Sequence, residues 1–363
     1  MFFHFTKEMM VKTHAPSLPT QDDVDPLYSW RVNYIQYGKH DLLIFMNDAA
    51  LYAVLVDDPQ METPEEFLAE FEDQLERVML RDQINSEVID RYLRAFPEVD
   101  IVKNSNPQKN NELDQLFATV RDIWGKADDV SMSQYVNNQL IDETHNDTPT
   151  EHFMKELSQF GLPLRKTHAF DLLVILQLPK GSTRRKIRVS ANFTFDDLHW
   201  IIQEAMGWSG LHLYKFEFYR QNDYDPFIEL LGLKDSEYHP DATLAKDVKL
   251  IEMIPKYQRI FYTYNFTDWW HMKIQIMGEM FDCDELLPVL LRGSGATPSE
   301  QFRGMWEVEE YFKKNAKVKK RGDQSDDDDL YWLPYDFDET AECVRSAMKD
   351  PTAYAKFADM FEY

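Results

Sequence analysis

The chain has 363 residues, 44% hydrophobic and 14% aromatic, which is enough for about two domains of roughly 150 residues with real cores. Acidic residues outnumber basic ones 64 to 39, for a formal net charge of −25, which argues against a generally basic nucleic-acid binder and against a protein drawn to anionic lipid. Only 12 glycines leave little room for phosphate-cradling loops, and the two cysteines, Cys283 and Cys343, share no metal-ligand spacing and suggest no disulfide framework.

Lys7, Glu8 and Lys12 interrupt the N-terminal apolar residues before a signal-peptide core forms. No apolar run approaches the roughly 18 residues of a membrane span, so the expectation is a soluble cytoplasmic protein. Phe2–Thr6 reads as a short strand, followed by polar sequence to Pro26. The apolar runs Asp41–Asn47 and Ala50–Val56 predict two strands joined by a turn around Asn47–Ala49. Thr63 as N-cap and Pro64 at the first helical position predict a helix. Its apolar stripe is Phe67, Leu68, Phe71, Leu75, Val78 and Met79. Further helices are predicted at Ser86–Ala95, Glu112–Trp124, Ser133–Ile141 and Glu151–Phe160, with Lys103–Asn111 as a loop. Gly161 and Pro163 end the last helix and place a boundary there, giving domains 1–162 and 163–363.

Beyond the boundary the period changes. Phe170–Leu178 reads as a buried strand, PKGS as a turn and Arg185–Phe193 as an alternating partner. Thr194 caps an amphipathic helix that carries Asp196 and Asp197 in its first turn and stops at Gly207. His212–Tyr219 alternates as a third strand, and Asn222–Asp241 reads as a loop or excursion. Arg259–Phe266 and His271–Gly278 form a hairpin joined at Thr267–Trp270. Helices near Trp306–Lys314 and Thr340–Lys349 flank a charge block. The order predicts an α+β protein of two domains, the C-terminal one a β-grasp-like mixed sheet with one covering helix and a helical C-terminal extension.

From His168 to about Lys349 the chain resembles the plasmid pRiA4b open-reading-frame-three-like family, whose members are often described as passenger proteins of insertion elements. The resemblance is carried by RRKIRV (Arg184–Val189), FTFDDLHWIIQEAMGW running into SGLHLYKFEF, and the hairpin YTYNFTDWWH. The segments Ala296–Phe312 and Tyr335–Val344 extend it. In the first half, FHFTKEMM, Trp30, LLIFMNDAALYAVLV, IVKNSNPQKNNEL and HNDTP are similar to a small domain family of unknown function found in bacterial plasmid and prophage neighbourhoods. The resemblance implies a fold and a bacterial plasmid or mobile-element origin, but no reaction.

This chain departs from the family pattern at polar positions. Against Tyr-Asp-Phe-Gly-Asp-x-Trp-x-His, Tyr264, Phe266, Asp268 and Trp270 match, while Asn265, Thr267 and Met272 do not. His271 lies one position early, which on a strand means the opposite face. After the helix, His-Leu-His becomes His212-Leu213-Tyr214; further on, Glu300 is kept but Gln301 and Arg303 replace an acid and a glycine.

His199, His212, Asp268 and His271 could converge for metal binding or acid–base work; alternatively Asp268 caps a turn and the histidines are satisfied polar groups. The aromatics Tyr262, Tyr264, Phe266, Trp269, Trp270, Trp200 and Trp208 fit either a stacking or partner-binding surface or ordinary core packing. One of Trp269 and Trp270 is expected to be exposed, because neighbouring strand positions alternate. Arg184, Arg185, Lys186 and Arg188 form a basic island, and Lys313–Arg321 forms a second that is offset by the acidic run Asp323–Asp329. No serine lies in a nucleophile elbow.

The leading expectation is a non-catalytic interaction or accessory protein with a protein partner, no cofactor and no metal. Its binding residues are drawn from Asp268, Trp269, His271, His199, His212, Tyr264, Glu300 and Arg185, around the Thr267–His271 turn and the cleft between the domains. Two alternatives stand beside it. One is a metal-dependent enzyme acting on nucleic acid or nucleotide, with Asp268, His199, His212 and Glu300 as ligands. The other is an acidic mimic of DNA that occupies a basic partner.

Overall fold

A run such as Leu42–Met46 is apolar at every position, and a strand of that kind needs cover on both faces. The computed structural model supplies it. It describes residues 1–13, 24–37, 40–57, 59, 64–95, 99–104, 107–139, 147–233, 242–318, 331–348 and 350–360. The chain is an α+β protein of two compact units, Met1–Lys166 with Asp350–Lys356, and Thr167–Lys349 with Phe357–Tyr363.

The first unit contains β1 (Phe2–Phe5), α1 (Lys7–Lys12), β2 (Ser29–Tyr37), β3 (His40–Asn47), β4 (Ala53–Asp57), α2 (Pro64–Arg81), α3 (Ser86–Arg94), β5 (Asp100–Lys103), α4 (Pro107–Arg121), α5 (Asp129–Asn137) and α6 (Pro149–Leu157). Its five-stranded sheet runs β4-β3-β2-β1-β5, with β1 parallel to both of its neighbours and the remaining pairs antiparallel. Leu43 and Phe45 face a core shared with Phe71, Ile89 and Phe153. Leu42, Ile44 and Met46 face a second core built with Leu113, Phe117, Met132 and Val136. Under the first core Tyr52 donates 2.7 Å to Asp82, whose carboxyl is lifted by burial to about 6 against the opposing hydrogen bonds of Tyr52, Asn138 and Thr150.

Several elements differ from the sequence expectation. Strand β2 was not predicted, because SWRVNYIQY mixes polar and apolar residues and draws its regularity from pairing with β1 and β3. The loop expected at Lys103–Asn111 is partly helix: α4 begins at Pro107, and proline is well suited to a first helical turn. Helix α5 starts at Asp129 rather than Ser133, because Asp128 caps it by accepting from Ser131 N–H. The expected cap Thr63 lies outside the described residues.

The edge of the first sheet at β4 is closed by side chains. Asn137 accepts from Ala53 N–H at 2.7 Å and donates to Ala53 C=O at 2.9 Å. Ser133 Oγ accepts from Leu55 N–H at 3.0 Å and Gln74 donates to Leu55 C=O at 3.0 Å. An open strand edge invites pairing with another chain, and here one helix side chain copies the pattern of a neighbouring strand.

The second unit contains β6 (Thr167–Gln177), β7 (Ser182–Ser190), α7 (Phe195–Met206), β8 (Tyr214–Tyr219), β9 (Ile228–Leu231), β10 (Thr243–Leu244), α8 (Leu250–Met253), β11 (Arg259–Tyr264), β12 (Trp270–Cys283), β13 (Val289–Ser294), β14 (Thr297–Pro298), α9 (Met305–Val318), β15 (Trp332–Leu333) and α10 (Phe337–Ser346), and the last helix, α11 (Ala353–Asp359), is divided between the units after Lys356. Eight strands form one sheet in the order β10-β9-β8-β11-β12-β6-β7-β13. All of its pairs are antiparallel except β9 with β10. The stretch Asn222–Asp241 is therefore more than a loop, since it holds β9. Strand β12 runs five residues past the expected end at Gly278, to Cys283, and stays paired with β6 through two register shifts.

Helix α7 is closed at both ends by its own sequence. Thr194 and Asp197 form a reciprocal capping box, and Gly207 takes a left-handed conformation with φ 73°. Leu198, Ile201, Ile202 and Ala205 of α7 join Leu172, Val174, Phe216, Tyr262 and Ile274 of the sheet in one core. The second basic run is described only as far as Val318, and Asp323–Asp329 lies outside the described residues. Among the described residues no helix is long and apolar enough to cross a membrane.

Replacing Asn137 with alanine leaves the buried N–H and C=O of Ala53 without partners, at an expected cost of about 2–4 kcal/mol in denaturant unfolding. Unchanged stability would mean that the β4 edge is satisfied in another way.

Candidate functional site

The sheet of the second unit divides the candidate residues by face. Along β11, Ile260, Tyr262 and Tyr264 face the core, and Phe261 and Thr263 face away. Along β12, Trp270 and Met272 are buried and His271 is exposed. The family's histidine position is thus filled by an inward methionine, while His271 points outward.

The inward set is locked. His199 is fully buried on α7 and stacks on Tyr214 with ring centroids 3.7 Å apart and planes 6° apart. Its Nδ1 lies 2.6 Å from the Tyr262 hydroxyl, which also accepts from Gln203 Nε2 at 2.7 Å. Which of His199 and Tyr262 donates to the other is set by the imidazole tautomer. Burial drives the His199 pKa down to about 3, with the Gly210 backbone opposing. Tyr264 donates to Glu300 Oε1 at 2.7 Å. Glu300 also accepts from Ser209 N–H at 2.8 Å and Ser209 Oγ at 2.9 Å, closing the turn that follows α7. Burial, followed by the Glu300 hydrogen bond and charge, raises the Tyr264 pKa against the opposing hydrogen bond from Ser209. His212 is exposed and meets the Tyr264 ring edge-on at 5.6 Å.

Arg185 is only 2% exposed. It donates to the carbonyls of Ala205, Arg184, Ser294 and Gly295 and to Thr297 Oγ1, at 2.7–3.2 Å. Ala205 lies in the last turn of α7, where the helix dipole favours a cation. Burial lowers the Arg185 pKa to about 10, which still leaves it charged at neutral pH. Its neighbour Arg184 faces solvent, so the two arginines of one dipeptide have different surroundings.

Asp268 accepts from Asn265 Nδ2 at 2.8 Å. Asn265 Oδ1 in turn accepts from the N–H groups of Thr267 and Asp268 at 3.2 and 3.3 Å. Asp268 thus belongs to the turn, Glu300 to Ser209 and His199 to Tyr262. Among the described residues no three His, Cys, Asp or Glu side chains are grouped to hold a metal ion.

The outward set was only partly anticipated. Glu217 is 5% exposed although it lies on the solvent side of β8. Lys215 Nζ approaches it at 3.0 Å and Glu229 at 2.6 Å. Thr263 Oγ1 donates to Glu217 at 3.1 Å and lies 2.9 Å from His271 Nδ1. Burial opposes the charge on Lys215, but hydrogen bonds and charges from Glu229 and Glu217 prevail and raise its pKa. Burial lowers the pKa of His271, with the Glu217 charge opposing and Lys215 reinforcing. The exposed ring of His271 stacks on Phe261 at 4.8 Å and 13°. The alternation of HLYKFEFY carried the signal for Lys215 and Glu217, but only the register brings Thr263 and His271 to them.

Trp269 stands at the end of this hairpin, 51% exposed, with Lys215 Nζ 5.6 Å from its ring. Its backbone is left-handed at φ 57°, as is that of Asn265 at φ 55°, a conformation that costs energy for a bulky side chain. The Trp269 N–H donates to Asn265 C=O at 2.6 Å. Gly304 backs onto the turn so closely that a Cβ there would lie 2.2 Å from the Asp268 carbonyl oxygen. Phe266, 40% exposed, sits 6.3 Å from Trp269.

This geometry defines a two-unit α+β protein whose second unit is a broad, mainly antiparallel sheet packed against a capped helix. The chain belongs to the plasmid pRiA4b ORF-3-like protein family, matched over residues 168–343. Residues 2–156 match a domain of unknown function (DUF6933). The uncharacterized protein y4hQ of Sinorhizobium fredii (strain NBRC 101917 / NGR234) is 30% identical over 142 residues, covering 39% of this chain and 69% of that protein. A crystal structure of a protein of unknown function, MM3350 from Methanosarcina mazei Go1, is similar at 23% identity with a TM-score of 0.39, covering 48% of this chain and 97% of that one.

Because His199 is depressed in the fold relative to about 6.5 in the unfolded chain, the unfolded chain takes up its proton first. Its contribution to stability is complete above about pH 6.5 and is lost as pH falls toward 3. His199→Gln is expected to lose about 2 kcal/mol less stability than the parent between pH 7 and pH 5, measured by denaturant unfolding. Equal losses would show that His199 protonates without cost.

Proposed function

We propose that this protein works by recognition rather than by reaction, as a cytoplasmic accessory protein of bacterial plasmid or mobile-element type. Its working surface is the Asn265–Trp269 turn and the strands beside it. The observation that carries this reading is Trp269, an aromatic side chain held half-exposed at a strained, braced backbone position. Exposed aromatics that are fixed in place bind with little loss of freedom and dominate binding energies.

The inward groups support the same reading. His199, Tyr264, Glu300 and Arg185 make hydrogen bonds within the unit, and these tie α7 and its following turn to the sheet. The family description, taken from a plasmid open reading frame, supports the proposed origin.

The test is crosslinking capture from native cells, read for both protein and nucleic acid. Trp269→Ala is expected to lose at least one captured species by about tenfold or more, while Tyr224→Ala, on a separate and fully exposed loop position, retains it. Identical capture by parent and Trp269→Ala would overturn the proposal.

A further inference from the structure

Among the described residues, one face of the second unit's sheet carries exposed cations, in a chain whose net charge is −25. The rows of this face follow from the register. Arg184 lies opposite Ile175, Ile175 opposite Lys273, and Lys273 opposite Phe261. In the adjoining row Arg292 lies opposite Lys186 and Lys186 opposite Leu173. Arg184, Lys273 and Arg292 are exposed, and Leu173, Ile175 and Phe261 are partly exposed. Among the described residues these three cations have no carboxylate partner, whereas Asp171 is held by Arg188 and Lys186, and Glu217 and Glu229 share Lys215.

A chain with 64 acids and 39 bases would be expected to surround exposed cations with carboxylates. Here unpaired cations gather on one sheet face. Neighbouring strands of the sheet lie about 5 Å apart, which puts Arg184 and Lys273, two strands apart in one row, at about 10 Å. Beside them, on the same face, lie flat groups: Phe261 stacked on His271, Tyr219 edge-on to Phe261, and Trp269 over Lys215.

We propose that this face binds single-stranded nucleic acid, with Arg184, Lys273 and Arg292 meeting phosphates and Phe261, His271 and Trp269 stacking bases. The proposal rests on the recognition role argued above and names the partner class. A sheet with cations along a track and aromatic rings beside it has the two features that single strands require. A duplex presents its bases already stacked and offers the rings nothing to engage. A protein partner would match the cations with acids but would leave the stacked pair of Phe261 and His271 without a specific role. The charge of −25 repels a polyanion at a distance, so the attraction is confined to contact range.

The test is fluorescence anisotropy of the full chain with labelled oligo-dT and oligo-U of about 15 nucleotides, a duplex of the same length, and inorganic polyphosphate as competitor. Both single strands carry the proposed chemistry, and comparing them reports whether DNA or RNA is preferred. The parent is expected to bind a single strand more tightly than duplex. The double variant Arg184→Glu, Lys273→Glu, at exposed positions without ion pairs, is expected to weaken binding by about tenfold or more. Phe261→Ala is expected to weaken oligonucleotide binding by several-fold and to leave polyphosphate competition for the parent and variant alike. No single-strand binding at low salt, or binding unchanged by charge reversal, would overturn the proposal. Equal loss of polyphosphate and oligonucleotide on charge reversal with no effect of Phe261→Ala would also overturn it, leaving a general polyanion surface. If oligonucleotides fail while capture still depends on Trp269, only the partner class is wrong.

Discussion

The alternation of side chains along the eight-stranded sheet is the constraint on which the second unit depends. Each strand buries one set of residues under α7 and turns the other set to solvent. A shift of one residue in β11 or β12 would exchange Tyr262 with Thr263 and Met272 with His271 and would break the core and the outer network together. The fixed register separates two kinds of polar group. Those facing inward, such as His199 and Arg185, hold the helix on the sheet, and those facing outward meet whatever approaches.

Charge has to be read at the same resolution. The net −25 acts on an approaching partner only within about a Debye length of the surface, roughly 8–10 Å at ordinary salt. At contact range the local arrangement governs, and among the described residues Asp171, Glu217 and Glu229 of the outer sheet face are held by cations while Arg184, Lys273 and Arg292 have no carboxylate partner. The whole-chain argument against a generally basic binder still holds, but it does not describe this face.

Strands with continuous or strongly alternating apolar residues were legible in the sequence: β3, β6, β8 and β11 fall where the apolar pattern places them. So was α7, because Thr194, Asp197 and Gly207 mark both of its ends locally. Strands β2, β5 and β13 were not, since their residues become strands only through distant partners. Helix α4 was partly hidden because its first turn, beginning at Pro107, consists of residues that also make loops. The candidate site was legible as a set of residue types but not as an arrangement. Nothing in RRKIR distinguishes the buried Arg185 from the exposed Arg184 until strand polarity is known, and Lys215, Glu217, Thr263 and His271 come from three strands. The turn reading of Asp268 was available from Asn265 and Thr267, whereas the left-handed backbone of Trp269 was not.

The outer face of this sheet, and not its locked interior, is the surface proposed to meet a partner. Ultraviolet crosslinking of a bromouridine single strand to the full chain, with the modified residues located by mass spectrometry, tests it most directly. Adducts are expected at Phe261, Trp269, His271 and their strand neighbours. Adducts confined to the first unit, or to surfaces of the second unit away from these strands, would contradict it.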